Sequence, residues 1–361
     1  MASKSKKRAV NSRLPLTGIK VLELATVLAG PSVGTFLAEL GATVLKIENP
    51  RTDGDVTRKW IMPEEDPNVP SSYFRAVNQG KKHLFADIHS KEGKKMITEI
   101  LHDTDVLLVN FKPGDEKKFG LDQKKLRAKF KKLIYAQISG YGLKDPKPAF
   151  DLCLQAESGF MSVNGTPESG PLKMPVAMID ILAAHHLKEG ILVALLERAK
   201  TKKGKFVHVS LYDAALVSLN YLGANYLTTK KEPGLNGSLH PNIAPYGETF
   251  ELRDGRHLVL AVGNDSQFAR LCEAIGMNKL YSDPDFATNR SRVINRKKLF
   301  SLLNSVITDL DSVAWESKMK NKDIPFAIVR TMEEALSDRR TAHLLLSEPG
   351  GKVLKSVIFN S

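Results

Sequence analysis

The sequence predicts an α/β fold, in which a parallel-sheet domain is joined by a second, smaller α+β domain late in the chain. Up to residue 140, short apolar segments alternate with segments in which apolar residues recur at the spacing of a helix. Strands separated by helices imply βαβ units and therefore a parallel sheet. After the turn-rich segment KKEPGLNGSLHPN (230–242), a hairpin pattern is followed by helices. This change of order indicates the second domain.

The elements of the first domain follow in chain order. The predicted strands are IKVLEL (19–24), TVLKIE (43–48), HLFADI (83–88), DVLLVNF (105–111) and LIYAQIS (133–139). The predicted helices are 30–41, 92–103 and 123–132, and the first has Pro31 near its start and Gly41 after its end. Parallel sheets bind ligands outside the carboxyl ends of their strands. We therefore expect the site in the loops after Leu24, Glu48, Phe111 and Ser139.

The second half of the chain begins with a long predicted helix, 177–200, and a strand, FVHVSL (206–211). Residues 230–242 are interpreted as a loop that crosses between the domains. The segment GETFELRDGRHLVLAV (247–262) is a predicted hairpin with its turn at Asp254-Gly255. Helices at 266–276 and 291–308 and a strand at 324–330 complete the prediction.

The composition is that of a globular protein. Hydrophobic residues make up 42% of the 361 residues, and no apolar run approaches the roughly 20 residues that span a bilayer, so no membrane partner is predicted. The basic start MASKSKKRAVNSRLP has no apolar stretch behind it, so it is predicted to be a disordered tail, residues 1–14, and not a secretory signal. Cys153 and Cys272 are far apart and lack metal-ligand spacing. They favour a cytoplasmic location, no disulfide and no metal site.

The net charge of +13 points to an anionic partner. Part of the excess lies in the N-terminal tail and part on the Lys-rich helix 123–132. Nucleic acid and a phosphate-rich small molecule both fit this charge. No nucleic-acid-binding module is recognisable, so a specific nucleic-acid partner is not predicted.

Three short motifs follow predicted strands. LAGPSVG (28–34) places small residues at a helix start, where backbone N–H groups can approach a ligand. It lacks the spacing GxGxxG, so a nicotinamide cofactor is not indicated. NFKPG (110–114) puts Lys112 where it could hold a phosphate or simply be exposed, and SGYG (139–142) supplies a glycine loop.

The segment VAMIDILAAHH (176–186) contains one acid, Asp180, among apolar residues. An ionised carboxylate is costly to bury unless something pairs with it. The residues themselves leave three interpretations open: a helix cap, a buried ion pair or a catalytic group. His185 and His186 have no role that the pattern supports.

In order, these motifs resemble the class III CoA-transferases, the CaiB/BaiF type, which include the formyl-CoA transferases. The resemblance is collinear over nearly the whole chain. Its matching segments are LTGIKVLELATVLAGPSVGTFLAELGATVLKIE, NQGKKHLFADI, DVLLVNFKPG, LIYAQISGYG, AFDLCLQAESGFMSVNG, VAMIDILAA, ALLERAKTKKGKFVHVSLYDAAL and APYGETFELRDGRHLVLAVGND.

The resemblance implies an architecture and a mechanism. It implies a Rossmann-like CoA-binding domain over 15–225, to which residues 325–361 return, a small α+β domain over 226–324, and a homodimer of interlocked chains. Asp180 is implied as the nucleophile that takes CoA from an acyl-CoA and passes it to a small carboxylic acid, through an anhydride and an aspartyl-CoA thioester. No permanently bound cofactor is implied. With an ordinary pKa of about 3.9, this Asp would be ionised at neutral pH.

The resemblance also implies CoA contacts. They fall at Leu28, Ala29, Asn49, His89, Asn110, Phe111, Lys112 and Lys118. Two of these depart from the family pattern, because Asn49 stands where an Arg is frequent and His89 where a Lys is frequent. Leu28 replaces a Gln of the formyl-CoA transferases, so formyl or oxalate specificity is not predicted. Asp151, where the family often has an acid, is interpreted as structural or as lining the site.

Two related activities remain as alternatives. An α-methylacyl-CoA racemase would use a His together with the Asp, and Phe150 stands at the position of that His. Phenylalanine cannot move a proton, which disfavours this activity. An isomerase that transfers CoA within one molecule would use the same Asp180.

Overall fold

The structure is a computed structural model that describes residues 14–359, and it divides into two compact units. The first unit contains the chain up to Phe160, Lys173–Gly223 and the chain from His343 onward. The second unit contains Met161–Leu172 and Ala224–Ala342. Except for its last residue, Leu14, the predicted tail lies outside the described residues.

Within the described residues, strands and helices alternate through most of the first unit. The strands are β1 (Lys20–Glu23), β2 (Thr43–Glu48), β3 (Lys82–Phe85), β4 (Val106–Val109), β5 (Ile134–Ser139), β6 (Gly165–Thr166), β7 (Gly170–Pro171), β8 (Phe206–Ser210), β9 (Tyr246–Glu251), β10 (His257–Ala261), β11 (Phe326–Ile328), β12 (Leu345–Glu348) and β13 (Gly351–Leu354). The α-helices are α1 (Ala29–Glu39), α2 (Ser72–Ala76), α3 (Lys91–Leu101), α4 (Asp115–Lys118), α5 (Gln123–Lys129), α6 (Asp151–Glu157), α7 (Phe160–Val163), α8 (Met178–Thr201), α9 (Leu211–Ser218), α10 (Asn220–Thr229), α11 (Asp265–Ala274), α12 (Asn289–Ile294), α13 (Arg296–Ile307), α14 (Ser312–Met319) and α15 (Met332–Leu336).

The predicted parallel sheet is confirmed. Six strands pair in the order β3-β2-β1-β4-β5-β8, and every pairing is parallel. The chain winds outward in one direction from β1 to β3, and then in the other direction from β4 to β8. The strand order therefore reverses between β1 and β4, and such a switch point leaves a crevice at the carboxyl ends of the two strands.

Both faces of this sheet are covered by helices, which explains why the central strands β1, β4 and β5 are buried along nearly their whole length. On one face, α1, α8 and α9 pack in a core that includes Val33, Leu187 and Ala215. On the other face, α3 and α5 contribute Ile97 and Leu126 to a second core. The long helix predicted at 177–200 is α8, and its N-terminus is held beside the switch point by this packing.

The second unit has its own sheet and its own core. Its antiparallel sheet has the order β11-β10-β9, and α11, α13 and α14 pack on it through residues such as Leu271, Leu303 and Trp315. The predicted turn between β9 and β10 is confirmed, with Gly255 at φ +77°, a conformation that glycine adopts without strain. The single helix predicted at 291–308 is wrong, because Asn295 separates α12 from α13.

The unit boundaries differ from the predicted domain boundaries in two segments. The sequence assigns residues 325–361 to the first domain, whereas β11 pairs with β10 in the second unit and the chain joins the first unit only from His343. Residues 161–172 belong to the second unit, where the N–H of Gly237 donates to the carbonyl oxygen of Gly165 at 2.7 Å. Both differences arise from pairings between residues distant in sequence, which local patterns do not reveal. No helix among the described residues is long and apolar enough to cross a membrane.

Candidate active site

A cavity of about 260 Å³ opens at the switch point of the parallel sheet. It is formed by the segments that follow β1, β4 and β5, together with the start of α8. Six of the residues predicted from the sequence line it: Leu28, Ala29, Asn110, Phe111, Lys112 and Asp180. Three of the loops in which we expected the site, those after Leu24, Phe111 and Ser139, contribute to this lining, and their role in ligand binding stays a prediction.

A second cavity, of about 330 Å³, shares part of this lining. Both cavities are lined by Asn110, Phe111 and Lys112, and the second also reaches Asn49 at the end of β2. The two form adjoining parts of one cleft along the carboxyl edge of the sheet.

Two predicted residues lie outside the lining of both cavities. The ring of His89 packs edge-on against Phe119, with the ring centroids 5.0 Å apart, and Phe119 lines the second cavity. Lys118 is exposed, and its ammonium lies 2.7 Å from a carboxylate oxygen of Asp115. Both side chains are therefore at the rim of the cleft.

Asn110 links the two loops that meet at the switch point. Its side-chain oxygen accepts from the N–H of Thr26 at 3.1 Å, and its side-chain nitrogen donates to the carbonyl oxygen of Thr26 at 2.8 Å. The amide group of Asn110 is thus engaged by the protein itself. It holds the segment after β1 against the segment after β4.

The small residues of LAGPSVG serve the packing of α1. A Cβ atom on Gly30 would lie 2.3 Å from Cβ of Ala25, and one on Gly34 would lie 1.8 Å from the buried carboxylate of Glu23. The two glycines let α1 approach β1 closely. Only the first two residues of the motif, Leu28 and Ala29, line the cavity.

Asp180 lies in the first turn of α8, and Asp151 caps that turn. A carboxylate oxygen of Asp151 accepts from the N–H of Ile179 at 2.7 Å, while the other accepts from the side-chain nitrogen of Gln155 at 2.5 Å. The residue that caps the helix is therefore Asp151, which leaves the carboxyl group of Asp180 available to the cavity.

Burial, followed by the negative charge of Asp151, raises the pKa of Asp180 from 3.8 to about 7. These two effects outweigh the first turn of a helix, which by itself favours the ionised form. The expectation of an ordinary pKa is wrong, because it ignores both. At pH 7 the carboxyl group of Asp180 is about half ionised.

Tyr73 lies close enough to Asp180 to be affected by its charge, and no sequence motif indicates this. Burial and the charges of Asp180, Asp151 and Asp55 raise the pKa of Tyr73 to about 12. Its phenol therefore stays protonated at physiological pH and can donate a hydrogen bond. No pattern marks it, since Tyr73 belongs to a segment with no recognisable motif and approaches Asp180 only in the fold.

One further polar pair lies at the edge of the cavity. The hydroxyl of Ser139, at the end of β5, is 2.8 Å from Nε2 of His208 on β8 and accepts from the N–H of Gly142. This contact fixes the SGYG loop. Among residues 14–359, no cluster of three or more His, Cys, Asp or Glu side chains is arranged to hold a metal ion.

Fold and cavity together define a doubly wound α/β protein with a cleft at its switch point, in which the half-buried carboxyl group of Asp180 has a raised pKa. Comparison with known proteins identifies the family. The chain belongs to CoA-transferase family III, whose family profile matches residues 16–347. It is therefore an enzyme, a CoA-transferase.

Individual relatives and a solved structure agree with this family. The chain is 35% identical over 340 residues to the succinate–glutarate CoA-transferase of Agrobacterium fabrum, covering 91% of this chain and 83% of that protein. It is 31% identical over 345 residues to the acetyl-CoA:oxalate CoA-transferase of Acetobacter aceti, covering 94% and 87%. A CaiB/BaiF family protein from Brucella suis superposes with a TM-score of 0.84 at 34% identity, covering 97% of this chain and 93% of that one.

Proposed function

We propose that this enzyme transfers CoA from an acyl-CoA thioester to a dicarboxylic acid, with the carboxylate of Asp180 as the covalent carrier. The observation that carries the proposal is the position of Asp180 in one cavity with Leu28, Ala29, Asn110 and Lys112. The choice of dicarboxylic acids rests on relatives named for succinate, glutarate, oxalate and mesaconate.

The proposed reaction has four steps. A carboxylate oxygen of Asp180 attacks the thioester carbon, the C–S bond breaks, and CoA leaves as a thiolate while a mixed anhydride forms. The thiolate attacks the aspartyl carbonyl, which releases the donor acid and leaves an aspartyl-CoA thioester. The acceptor carboxylate then displaces the thiolate to give a second anhydride. Attack of the thiolate on the acceptor's acyl carbon yields the new acyl-CoA and restores the carboxylate of Asp180.

Several groups in the cleft support this chemistry. The first N–H groups of α1 have no partner within the helix, and Ala29 brings them to the cavity, where they are suited to stabilise an oxyanion. Lys112 is exposed at the cleft, and among the described residues it forms no ion pair with an acidic side chain. We assign it to a phosphate of CoA. The adjoining cavity beside Asn49 provides room for the nucleotide end.

We further propose that the chain functions as a homodimer, with the interlocked arrangement that the resemblance implies. Helix α8 is apolar on more than one side, since Leu187 and Ile191 are buried whereas Val193 is 54% and Leu196 is 66% exposed. A helix that is apolar all round is normally buried. A second subunit that covers Val193 and Leu196 on α8, together with Val217 on α9, would satisfy this rule.

The location of the protein is a separate point. The free cysteines, Cys153 and Cys272, support a reducing, cytoplasmic location.

The proposed function is tested by a matrix of donors and acceptors. Succinyl-CoA and acetyl-CoA are incubated with glutarate, oxalate, mesaconate and matched monocarboxylic acids, and the new thioesters are identified by mass spectrometry. We expect transfer to at least one dicarboxylic acid and none in Asp180→Asn. Transfer to monocarboxylic acids alone would contradict the substrate class.

The covalent step is tested by trapping. Hydroxylamine added after an acyl-CoA should convert an activated Asp180 to a hydroxamate, found by peptide mapping. Asp213→Asn removes an exposed acid from the first turn of α9 and is the matched control; it should trap normally. An unmodified Asp180 together with full transfer by Asp180→Asn would refute the assignment.

A further inference from the structure

The turn between β1 and α1 contains a residue in a conformation that its side chain disfavours. Val27 has a φ angle of +72°, in the left-handed region. For a β-branched residue this region is a genuine outlier, because the branched side chain crowds the backbone. Such a conformation persists only where surrounding contacts impose it, and it is enriched at functional sites. Val27 lies between Thr26 and Leu28 in the lining of the cavity that contains Asp180.

The contact that imposes this conformation comes from Asp55. The N–H of Val27 points to the carboxylate of Asp55, at 3.2 Å from Oδ2 and 3.4 Å from Oδ1. Asp55 is 2% exposed, and its Oδ1 also accepts from the N–H of Thr57 at 3.1 Å and from the Thr57 hydroxyl at 2.8 Å. The hydrogen bonds from Thr57 thus orient the carboxylate of Asp55 independently of its contact with Val27.

A network of buried charged side chains holds the carboxylate of Asp55 in place. The ammonium of Lys46 lies 3.1 Å from Asp55 and 3.0 Å from Glu23, and the ammonium of Lys81 lies 2.9 Å from Glu23. All four side chains are completely buried. A buried charge that loses its partner is strongly unfavourable, so this network tolerates little movement of Asp55.

The backbone of Asp55 is anchored as well. Its N–H donates to Glu48 at 2.8 Å, and Glu48 also receives two hydrogen bonds of 2.7 Å from the guanidinium of Arg58. Glu48 is the last residue of β2, next to Asn49 in the cleft. The position of Asp55 is therefore set by the sheet itself, through both its side chain and its backbone.

We propose that Asp55 is a positioning residue for acyl-CoA: it holds Val27 in the left-handed conformation and thereby sets Leu28 and Ala29 in the cavity. The inference rests on the proposed function above and on the CoA contacts at Leu28 and Ala29 that the family resemblance implies. Asn110 fixes the neighbouring Thr26 through hydrogen bonds to its backbone. Asn110 holds the backbone of Thr26 in place, whereas Asp55 stabilises the left-handed conformation of Val27, which a valine would otherwise not adopt.

The test removes the contact between Asp55 and the N–H of Val27, and then replaces Val27 by glycine, which adopts a positive φ without that contact. Asp55→Ala deletes the acceptor, and Asp55→Asn keeps the shape with a weaker one. Glycine populates positive φ about as readily as negative φ, so Val27→Gly in the Asp55→Ala background should recover part of the lost function. Asp53→Ala removes an exposed acid that pairs with Lys59 at the surface and is the matched control.

The readouts are kcat and KM for transfer, the Kd of CoA from titration calorimetry, and the melting temperature, all on the folded full-length protein. We expect Asp55→Ala to lower kcat/KM about 10- to 100-fold, the cost of misplacing a site by about an ångström, with a matching rise in the Kd of CoA. Asp55→Asn should fall between wild type and Asp55→Ala. The double variant should exceed Asp55→Ala in kcat/KM, measured against Val27→Gly as reference.

A purely structural role predicts a different result. It would lower the melting temperature but leave kcat, KM and the Kd of CoA unchanged in the folded fraction, and Val27→Gly would rescue nothing. Either unchanged kinetics and CoA affinity in both Asp55 variants, or a double variant no better than Asp55→Ala, overturns the inference. Should Asp55→Ala fail to fold, Asp55→Asn supplies the same comparison. The CoA titration reports on Asp55 even if Asp180→Asn retains transfer, so the two proposals fail separately.

Discussion

The carboxyl group of Asp180 should make the protein less stable as the pH rises, and its removal should reverse this. Its pKa is about 7 in the folded chain against an ordinary 3.8. The folded state therefore holds more protons than the unfolded state between about pH 4 and pH 7, and the free energy of unfolding falls across that window. Three pKa units at 1.36 kcal/mol each set an upper limit of about 4 kcal/mol.

Asp180→Asn keeps the shape of the side chain without the charge. At pH 4 the variant and the wild type should unfold with nearly the same free energy, because the Asn of the variant and the protonated Asp180 of the wild type are both neutral in the folded state. At pH 8 the variant should be more stable by about 1 to 4 kcal/mol. Urea denaturation followed by circular dichroism at pH 4, 6 and 8, without CoA, measures the difference.

The control is Asp213→Asn, an exposed acid in the first turn of α9, which should show no such gain at pH 8. A variant at Asp180 that is no more stable than wild type at pH 8, or a difference independent of pH, would refute the reasoning. If Asp180→Asn is more stable than the wild type at pH 8 and also loses transfer activity, Asp180 is retained for its chemistry at a cost in stability.

Three further outcomes are expected. The rate of transfer should rise with pH through about 7, as Asp180 ionises, and a flat pH–rate profile from 5.5 to 8.5 would contradict this. Tyr73→Phe should lower kcat about 10-fold or more if its protonated phenol donates to the reacting carboxyl group; unchanged kcat would exclude that role. Lys112→Met should raise the KM of CoA about 3- to 10-fold, and Lys118→Met less, because only Lys112 lines the cleft; equal effects would argue against this difference.

Local sequence patterns predicted the parallel sheet well, because its strands are short, mainly apolar segments that alternate with segments of helical spacing. The segment at 133–139 is β5 (Ile134–Ser139), and TVLKIE at 43–48 is β2 residue for residue. The boundaries of the second unit were predicted less well. The pairing of β11 with β10 joins residues about 70 positions apart, and no local pattern records which sheet a strand will join.

In the candidate site, too, some residues could be predicted from the sequence and others depend on contacts between distant segments. Leu28, Asn110 and Lys112 could be named from the sequence because the family resemblance implies them as CoA contacts. They lie in the segments after β1 and β4, and parallel strands end at one edge of the sheet. Tyr73 and Asp55 could not. Tyr73 lies on the short helix α2 and Asp55 in the segment after β2, neither carries a recognisable motif, and both act on residues far away in the chain.

For Asp180, the sequence alone revealed one acid among apolar residues at a predicted helix start, and the order of the motifs around it. It could not reveal that Asp151 caps the helix, that Asp180 lines the cavity, or that its pKa rises to about 7. A pKa depends on burial and on nearby charges, and both are set by the packing of segments that are distant in the chain.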